Sequence, residues 1–308
     1  MVMKCLFAYN TISGKGKAAK RAGKIAAKLS ERFGEVSVRA TTRAGELKDI
    51  AAEACGKYDL LVFAGGDGSF NEVVNGLAER ENRPALGYIP TGTVNDIARS
   101  AGIPRSIGGA LKNILRGEPR ELDVMKVNDS FVMYVACCGG LTGCSYSAPQ
   151  SGKRAFGKMA YAAEIIKNDL VFDEYEVEFS SGDKSEDASA VMVMIMNGRS
   201  VASMRVNPGG VLDDGEAEVL VIKGYPRENE SEHSKHRRYL FSALKVFTRG
   251  YKRLSKSGNV FSYKGGEFEV RVPDNTVWNF DGEKGESGSV SVRVLNKHIK
   301  MILPISGK

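Results

Sequence analysis

A glycine-rich turn that contains one aspartate follows the third apolar run of the sequence. It reads Gly65-Gly66-Asp67-Gly68-Ser69, and Asn71 and Glu72 come directly after it. Glycine has no Cβ, so the backbone of this turn can approach a bulky ligand closely. Asp67 follows the carboxyl end of a predicted strand, where open α/β sheets place their ligands. An ordinary glycine turn is the alternative, although such a turn requires neither Asp67 nor the polar residues after it.

A second polar segment follows the fourth apolar run. Pro90-Thr91-Gly92-Thr93-Val94 leads into Asn95, Asp96 and Arg99. These last three residues lie within one helical turn, so their side chains can face one crevice. Thr93 could instead be the N-cap of the next helix, with no role in binding.

The first apolar run ends in a turn rich in glycine and lysine, Asn10-Thr11-Ile12-Ser13-Gly14-Lys15-Gly16-Lys17. Backbone N–H groups between a strand and a helix can bind phosphate. The turn is not a Walker A loop, because no hydroxyl residue follows Lys15. It matches the looser dinucleotide pattern GxGxxA, but that pattern expects an acidic residue after the second strand, where Thr41 and Thr42 stand. Surface lysines at a helix start are the alternative.

Elements that would position these turns can be read from the first 120 residues. Short apolar runs predict strands at 4–9, 36–41, 59–64 and 85–89. Amphipathic stretches predict helices near 16–32, 45–55, 70–80, 94–101 and 106–116. This alternation predicts a doubly wound α/β domain whose mostly parallel sheet is covered on both faces. Ligands bind at the carboxyl ends of such strands, so the three turns predict a nucleotide site at one edge.

Strand-like runs dominate after about residue 122 and predict a β-rich second domain. They lie at 131–138, 175–180, 190–196, 218–222, 267–272 and 289–294, with helices near 156–167 and 235–252. The predicted domains are residues 1–123 and 124–297. The sequence leaves open whether residues 298–308 return to the first domain.

Together these motifs resemble the diacylglycerol kinase catalytic domain of bacterial soluble lipid kinases, a family that includes the sphingosine and ceramide kinases. The resemblance continues in order along the chain through Asp123, Gly157–Tyr161, Asn197-Gly198, Asp214-Gly215 and Asp281-Gly282-Glu283. A lone Gly-Gly-Asp-Gly turn also resembles NAD kinases and phosphofructokinases, but the second motif and the late Asp-Gly-Glu favour the lipid kinases. Ser69 replaces the usual threonine and Thr11 stands where proline is frequent, and neither change removes a group that the chemistry needs.

The resemblance implies an ATP- and Mg²⁺-dependent lipid kinase. Its N-terminal ATP-binding domain would be like those of NAD kinases and phosphofructokinases, and a C-terminal β-rich sandwich would present the lipid. Diacylglycerol, giving phosphatidic acid, is the expected acceptor, although a polyprenol, a sphingoid base or phosphatidylglycerol would also fit. The residues implied in ATP binding are Asn10, Ser13, Gly14, Lys15, Thr41, Gly66, Asp67, Gly68, Ser69, Asn71, Glu72, Thr93 and Asn95.

The family pattern implies catalytic roles for three acidic residues. Glu283 becomes the candidate general base for the lipid hydroxyl, and Asp281 becomes its orienting neighbour. Asp67 would hold the catalytic Mg²⁺. Taken alone, the Asp281-Gly282-Glu283 segment would be better interpreted as an exposed hairpin tip.

A structural Mg²⁺ site is also implied, formed by the Asp214 carboxylate and the main-chain carbonyls of Val211 and Glu216. Asp213 adds a further carboxylate to this segment. A charged network, equally consistent with a structural ion-pair cluster, is implied for Asp96, Arg99 and Asp123.

Composition, apolar runs and cysteine spacing indicate the cellular compartment of the protein. The chain has 308 residues, 42% of them hydrophobic, and a formal net charge of +7. It contains no apolar run of the ~18 residues that cross a bilayer. Since no secretory signal is evident and the five cysteines form no CxxC pair, we expect a cytoplasmic protein.

Basic residues are concentrated in segments 1–57 and 235–256. The second segment predicts either a helix packed on the core with a solvated basic face or a peripheral contact with an anionic membrane surface. The sequence leaves a homodimer open and shows no nucleic-acid-binding module. Three other functions stay open: a soluble kinase for NAD or a sugar phosphate, a Rossmann-type oxidoreductase, and a non-catalytic nucleotide- or membrane-binding regulator.

Overall fold

Four short parallel strands form the sheet of the N-terminal half. They are β1 (Cys5–Asn10), β2 (Val36–Thr41), β3 (Leu60–Gly65) and β4 (Ala85–Pro90), in the spatial order β2-β1-β3-β4. The computed structural model describes residues 3–11, 16–140, 172–202, 204–225, 230–249, 251 and 258–305. β3 is buried along its whole length, as expected for a central strand of a parallel sheet with both faces covered.

The helices of this half are α1 (Ala22–Phe33), α2 (Glu46–Ala54), α3 (Asp67–Leu77), α4 (Asp96–Ser100) and α5 (Ile107–Arg116). α3 begins three residues before its predicted start at residue 70. The glycine-rich turn is itself the first turn of the helix, since the Phe70 N–H donates to the Gly66 carbonyl at 3.0 Å. α2 and α3 pack closely, because a Cβ on Gly76 would lie 2.2 Å from the Lys48 carbonyl oxygen.

Antiparallel strands make up most of the second half. They are β5 (Glu118–Val127), β6 (Ser130–Val132), β7 (Val135–Gly139), β8 (Tyr175–Ser181), β9 (Lys184–Met196), β10 (Ala217–Lys223), β11 (Val260–Gly265), β12 (Glu267–Arg271), β13 (Val277–Phe280), β14 (Glu283–Ser287) and β15 (Val290–Leu303). Their second hydrophobic core contains Trp278, Phe179 and Phe268, all buried. The structure therefore confirms the predicted fold class, an α/β part with a parallel sheet followed by a strand-rich part.

The long strand β15 joins the two halves into one sheet. Its first residues pair with β12, and Met301 pairs in parallel with Leu86 of β4. Ile299 and Met301 are buried in the core that the N-terminal helices share. β5, which contains the predicted boundary between residues 123 and 124, pairs with β15 from Glu118 to Val127.

The predicted strand 131–138 is divided into β6 and β7. The backbone N–H groups of Met133 and Tyr134 donate to the Asp281 carboxylate instead of continuing a strand ladder. The sequence patterns did not predict β5 or β14, because both strands contain many polar residues. β5 begins with Glu-Pro-Arg-Glu, and β14 is Glu-Lys-Gly-Glu-Ser. β11 and β13 were not predicted either.

One long helix, α6 (Glu232–Arg249), lies in the second half and starts three residues before its predicted beginning at 235. The helix predicted near 156–167 lies outside the described residues. None of the helices that the structure describes is long and apolar enough to cross a membrane.

Candidate active site

The turns after β3 and β4 meet backbone to backbone at the carboxyl edge of the parallel sheet. A Cβ on Gly92 would lie 2.6 Å from the Gly66 Cα, which no ordinary contact allows. A Cβ on Gly65 would lie 2.2 Å from the Ser69 Cβ. The glycines of both motifs therefore allow the two turns to come together.

Asn95 holds the second turn in place. Its Oδ1 accepts from the Gly92 N–H at 3.0 Å, and its Nδ2 donates to the Gly92 carbonyl at 2.8 Å. The Tyr88 hydroxyl also donates to Oδ1, at 3.3 Å. Asn95 is buried and has a left-handed backbone with φ 54°, a conformation that asparagine tolerates better than most residues. These contacts give the side chain a structural role beside the implied contact with ATP.

Asp67 stands at the first helical position of α3, half-buried at the junction of the two turns. Its Oδ2 accepts from the Asn95 N–H at 2.7 Å, and its Oδ1 has a long 3.5 Å contact with the Ile97 N–H. Burial, and after it the negative charge of Asp96, raise the pKa of Asp67 to about 7. A nearby cation would favour the ionised form, and Oδ1 keeps lone pairs for it, so Asp67 fits the role of a Mg²⁺ ligand.

Asp96 and Arg99 of the implied charged network approach each other, and Asp123 has other partners. Arg99 Nε is 4.0 Å from Asp96 Oδ1, and Asp96 is buried. Asp123 is bound elsewhere: its Oδ2 accepts from the Gly215 N–H and its Oδ1 from the Lys297 N–H, both at 2.7 Å. In the described contacts Asp123 therefore fixes the segment around Gly215 and the end of the chain.

Asp281 connects three parts of the molecule through its carboxylate. Oδ1 accepts from the backbone N–H groups of Tyr134 and Val135 at 2.9 and 3.1 Å, and Oδ2 accepts from the Met133 N–H at 2.7 Å. The Asn71 Nδ2 on α3 donates to Oδ2 at 3.3 Å. Burial raises the pKa of Asp281, while these hydrogen bonds act in the opposite direction. Asp281 thus anchors the turn that carries Glu283.

Glu283 brings its carboxylate to the glycine-rich turn. A Cβ placed on Gly68 would lie 2.8 Å from Glu283 Oε1, so the carboxylate lies directly over the first turn of α3. Glu283 is exposed and begins β14, next to the turn formed by Asp281 and Gly282. Residues from distant parts of the chain therefore meet at this edge of the sheet.

The other residues implied in ATP binding take up varied positions. Asn10 at the end of β1 is paired with Thr41 at the end of β2, and the Thr41 carbonyl accepts from the Thr11 hydroxyl at 3.1 Å. Thr93 is exposed at the second turn. Ser13, Gly14 and Lys15 lie outside the described residues.

Glu72, also implied in ATP binding, contacts the helix α2. Its Oε2 accepts from the Leu47 N–H at 3.1 Å, so it satisfies an N–H group in the first turn of α2. Sequence spacing could not show this, because Glu72 follows Asn71 directly in the motif. The two side chains point to different neighbours, since consecutive helical residues face different directions.

One structural residue of the site was missed by sequence reasoning. The Asn75 Nδ2 donates to the Phe131 carbonyl at 2.8 Å, and the Phe131 N–H donates back to Asn75 Oδ1 at 3.0 Å. Asn75 Nδ2 also contacts Asn71 Oδ1 at 3.2 Å. The signal was present, since asparagines four residues apart lie on one helix face.

The implied structural Mg²⁺ site contains a lysine. Lys264 Nζ lies 2.6 Å from Asp214 Oδ2 and 3.0 Å from Glu216 Oε2. Asp214 Oδ1 accepts from the Glu216 N–H at 3.2 Å. Within the part of the chain that the structure describes, no group of three or more His, Cys, Asp or Glu side chains is arranged to hold a metal ion.

Comparison with known proteins identifies the class of this fold and site. Residues 4–127 match the model of the diacylglycerol kinase catalytic domain. The chain is 31% identical over 299 residues to the diacylglycerol kinase of Bacillus subtilis (strain 168), covering 96% of this chain and 95% of that protein. It is 31% identical over 263 residues to the diacylglycerol kinase of Staphylococcus aureus (strain Newman), covering 80% and 75%.

The similarity extends to three-dimensional structure. A crystal structure of a diacylglycerol kinase from Bacillus anthracis str. Sterne superposes with a TM-score of 0.79 and 25% identity, covering 98% of this chain and 97% of that one. The chain therefore belongs to the diacylglycerol kinase family, and the protein is a lipid kinase.

Proposed function

We propose that the protein transfers the γ-phosphoryl group of ATP to the hydroxyl of diacylglycerol, giving phosphatidic acid and ADP. The observation that carries the proposal is the position of the Glu283 carboxylate over Gly68, at the turn that also contains Asp67. A second carboxylate beside a phosphate-binding turn is the group that an alcohol acceptor needs and a simple nucleotide-binding protein does not.

The N-terminal end of α3 provides the phosphate side of the site. Its glycine-rich first turn presents backbone N–H groups and the positive end of the helix dipole, which favour bound phosphate. Gly66 and Gly68 let the phosphates approach without meeting a Cβ. Asp67 would hold Mg²⁺, which would neutralise the charge that develops on the phosphate oxygens.

Glu283 provides the acceptor side. The lipid hydroxyl oxygen forms a bond to the γ-phosphorus while the bond from that phosphorus to the bridging oxygen of ADP breaks. Glu283 accepts the hydroxyl proton as this transfer proceeds. Asp281 positions Glu283 through the backbone, because it fixes the turn immediately before β14.

The direct test replaces the proposed base. Glu283→Gln should lower kcat by about 10²- to 10⁴-fold, while the KM for ATP changes by less than about threefold. Glu286→Gln is the matched control, because Glu286 lies in the same strand and bonds Asn128 and Ser130. Near-normal turnover in Glu283→Gln would place the base elsewhere.

The identity of the acceptor needs a separate experiment. Labelled ATP incubated with a total lipid extract, and separately with NAD and with a sugar phosphate, shows which molecule receives the phosphate. We expect the label in a lipid that mass measurement identifies as phosphatidic acid. Label on NAD or the sugar phosphate would favour the soluble-kinase alternative, and label on another lipid alcohol would correct the acceptor.

We further propose that the outer face of α6 contacts an anionic membrane surface. Phe241 on this face is 54% exposed, and Arg237 and Lys245, both exposed, lie four residues before and after it. Arg238 and Lys235 of the same helix form ion pairs with Glu230 and Glu174. A basic residue near an anionic bilayer contributes about 1 kcal/mol to the binding free energy. An aromatic ring that inserts into the bilayer adds the free energy of burying its apolar surface.

Sedimentation with vesicles tests this face. The double variant Arg237→Ala/Phe241→Ser should bind vesicles rich in phosphatidylglycerol at least about tenfold more weakly than the wild type. Lys28→Ala, which removes an exposed lysine on α1, is the control and should bind nearly as the wild type. Equal binding of all three proteins would exclude the α6 face as the contact.

A further inference from the structure

A lysine lies among the acidic residues of the segment 211–216, which we call the 211–216 loop. Lys264 Nζ is 2.6 Å from Asp214 Oδ2 and 3.0 Å from Glu216 Oε2. Lys264 is also the cross-strand partner of Glu218, a buried carboxylate at the start of β10. One ammonium group therefore faces three carboxylates on two neighbouring elements.

The 211–216 loop is a connecting part of the structure. Asp123 on β5 donates its backbone N–H to the Leu212 carbonyl at 2.7 Å and accepts from the Gly215 N–H at 2.7 Å. The other oxygen of Asp123 accepts from the Lys297 N–H in β15. The conformation of this loop therefore determines how β5, β10 and β15 are joined.

A divalent cation on Asp214 and the ammonium of Lys264 would compete for the same oxygen. Mg²⁺ requires oxygen ligands in a near-octahedral arrangement at about 2.0–2.1 Å. An ammonium 2.6 Å from Asp214 Oδ2 occupies that side of the carboxylate and repels a second positive charge. Because Lys264 is attached to β11, opposite Glu218, its charge is present at high local concentration and needs no ion from solution.

We propose that the ammonium of Lys264 takes the place of the structural divalent cation that the family resemblance implies at Asp214. Lys264 fixes the 211–216 loop by bridging Asp214 and Glu216 to β11. An ion that binds the folded state alone stabilises that state by an amount that grows with the logarithm of the ion concentration. A lysine gives stability that does not depend on Mg²⁺. The inference concerns the fold and is independent of the proposed reaction.

Thermal unfolding of the protein without nucleotide or lipid tests the proposal. The Tm of the wild type should agree within about 1 °C between excess EDTA and millimolar Mg²⁺. Lys264→Met should unfold about 2–4 °C lower in EDTA, and Mg²⁺ should restore part of the loss by binding the released carboxylates. Lys300→Met is the matched control: it removes an exposed ion pair with Glu121 and should respond little to either condition.

Lys264→Arg is the second variant, because it keeps the charge and should stay close to the wild-type Tm. A Tm that rises by several degrees with Mg²⁺ in both the wild type and Asp67→Asn would overturn the proposal, since the 211–216 loop would then bind the ion despite the lysine. A Tm of Lys264→Met equal to that of Lys300→Met would also overturn the proposal. Either result leaves the test of Glu283 unaffected, because no turnover is measured here.

Discussion

Two groups of carboxylates in this protein are held by different partners. At the edge of the parallel sheet, Asp67 and Asp281 accept hydrogen bonds mainly from backbone N–H groups. In the 211–216 loop, Asp214 and Glu216 are held by the ammonium of Lys264. In the first group Asp281 is buried and Asp67 is half-buried, whereas the side chains of the second group are partly exposed.

This difference determines which of the two groups of carboxylates is stabilised by a cation from solution. Backbone amides position a carboxylate but carry no net charge, and burial of such a carboxylate raises its pKa, as it does for Asp67 and Asp281. A site of this kind gains from Mg²⁺ and from the phosphates that come with it. A carboxylate that already contacts a lysine is compensated, so an ion adds little.

The largest expected effect separates the two groups by stability. Asp281→Ala leaves three buried backbone N–H groups without their acceptor, so it should lower the free energy of unfolding by roughly 3 kcal/mol or more. Asp214→Ala loses a partly exposed ion pair and should cost below about 1 kcal/mol. Urea unfolding measures both. If the two variants lost equal stability, the contrast between amide-held and lysine-held carboxylates would be wrong.

A smaller effect distinguishes the two roles of glycine at the same edge. In Gly68→Ala the new Cβ meets the movable end of Glu283, so the carboxylate shifts and kcat should fall about tenfold or more with little loss of Tm. In Gly92→Ala the Cβ meets the Gly66 backbone at 2.6 Å, so the fold itself should lose stability. Assays of kcat and Tm on both variants show whether the two losses separate.

If Gly68→Ala keeps full activity, the position of Glu283 over the turn has no catalytic importance. A Gly68→Ala variant that loses as much Tm as Gly92→Ala would indicate a structural role for both glycines. The two variants therefore compare a new Cβ that meets a movable side chain, Glu283, with one that meets fixed backbone at Gly66.

The sequence predicted the elements whose side chains follow a simple period. The bounds of β2 agree with the predicted 36–41, and β3 and β4 differ by one residue at their ends, because these are short apolar runs between helices. The strand-rich second half was confirmed, but β14 was missed because its side chains are polar. Period alone does not detect a polar edge strand.

The sequence indicates which residues form the candidate site but not which contacts their side chains make. The family resemblance and its motifs implied Asp67, Asp281 and Glu283 as a set, yet they did not show that the Asp281 carboxylate accepts three backbone N–H groups. They also did not show that Glu72 faces α2 or that Lys264 faces Asp214. Each of these contacts joins segments far apart in the chain, and no local pattern of residues encodes such a pairing.

The smallest expected effect concerns the contact of His298 with the end of α3, which lies between the two halves. His298 in β15 donates from Nε2 to the Ala78 carbonyl after α3 at 2.7 Å. Burial, together with the positive charge of Arg83, lowers the pKa of His298, although the hydrogen bond to Ala78 opposes this. Below its usual pKa the unfolded chain therefore binds more protons than the folded one, so this group reduces stability as pH falls.

Replacing His298 with a residue that cannot titrate should reduce that sensitivity. Glutamine can still donate to the Ala78 carbonyl, so His298→Gln should lose less stability than the wild type between about pH 7 and about pH 5. Urea midpoints at both pH values measure the difference, and the other acidic groups of the protein contribute equally to both proteins. An identical loss would show that burial at the contact between β15 and α3 leaves the pKa of His298 at its usual value.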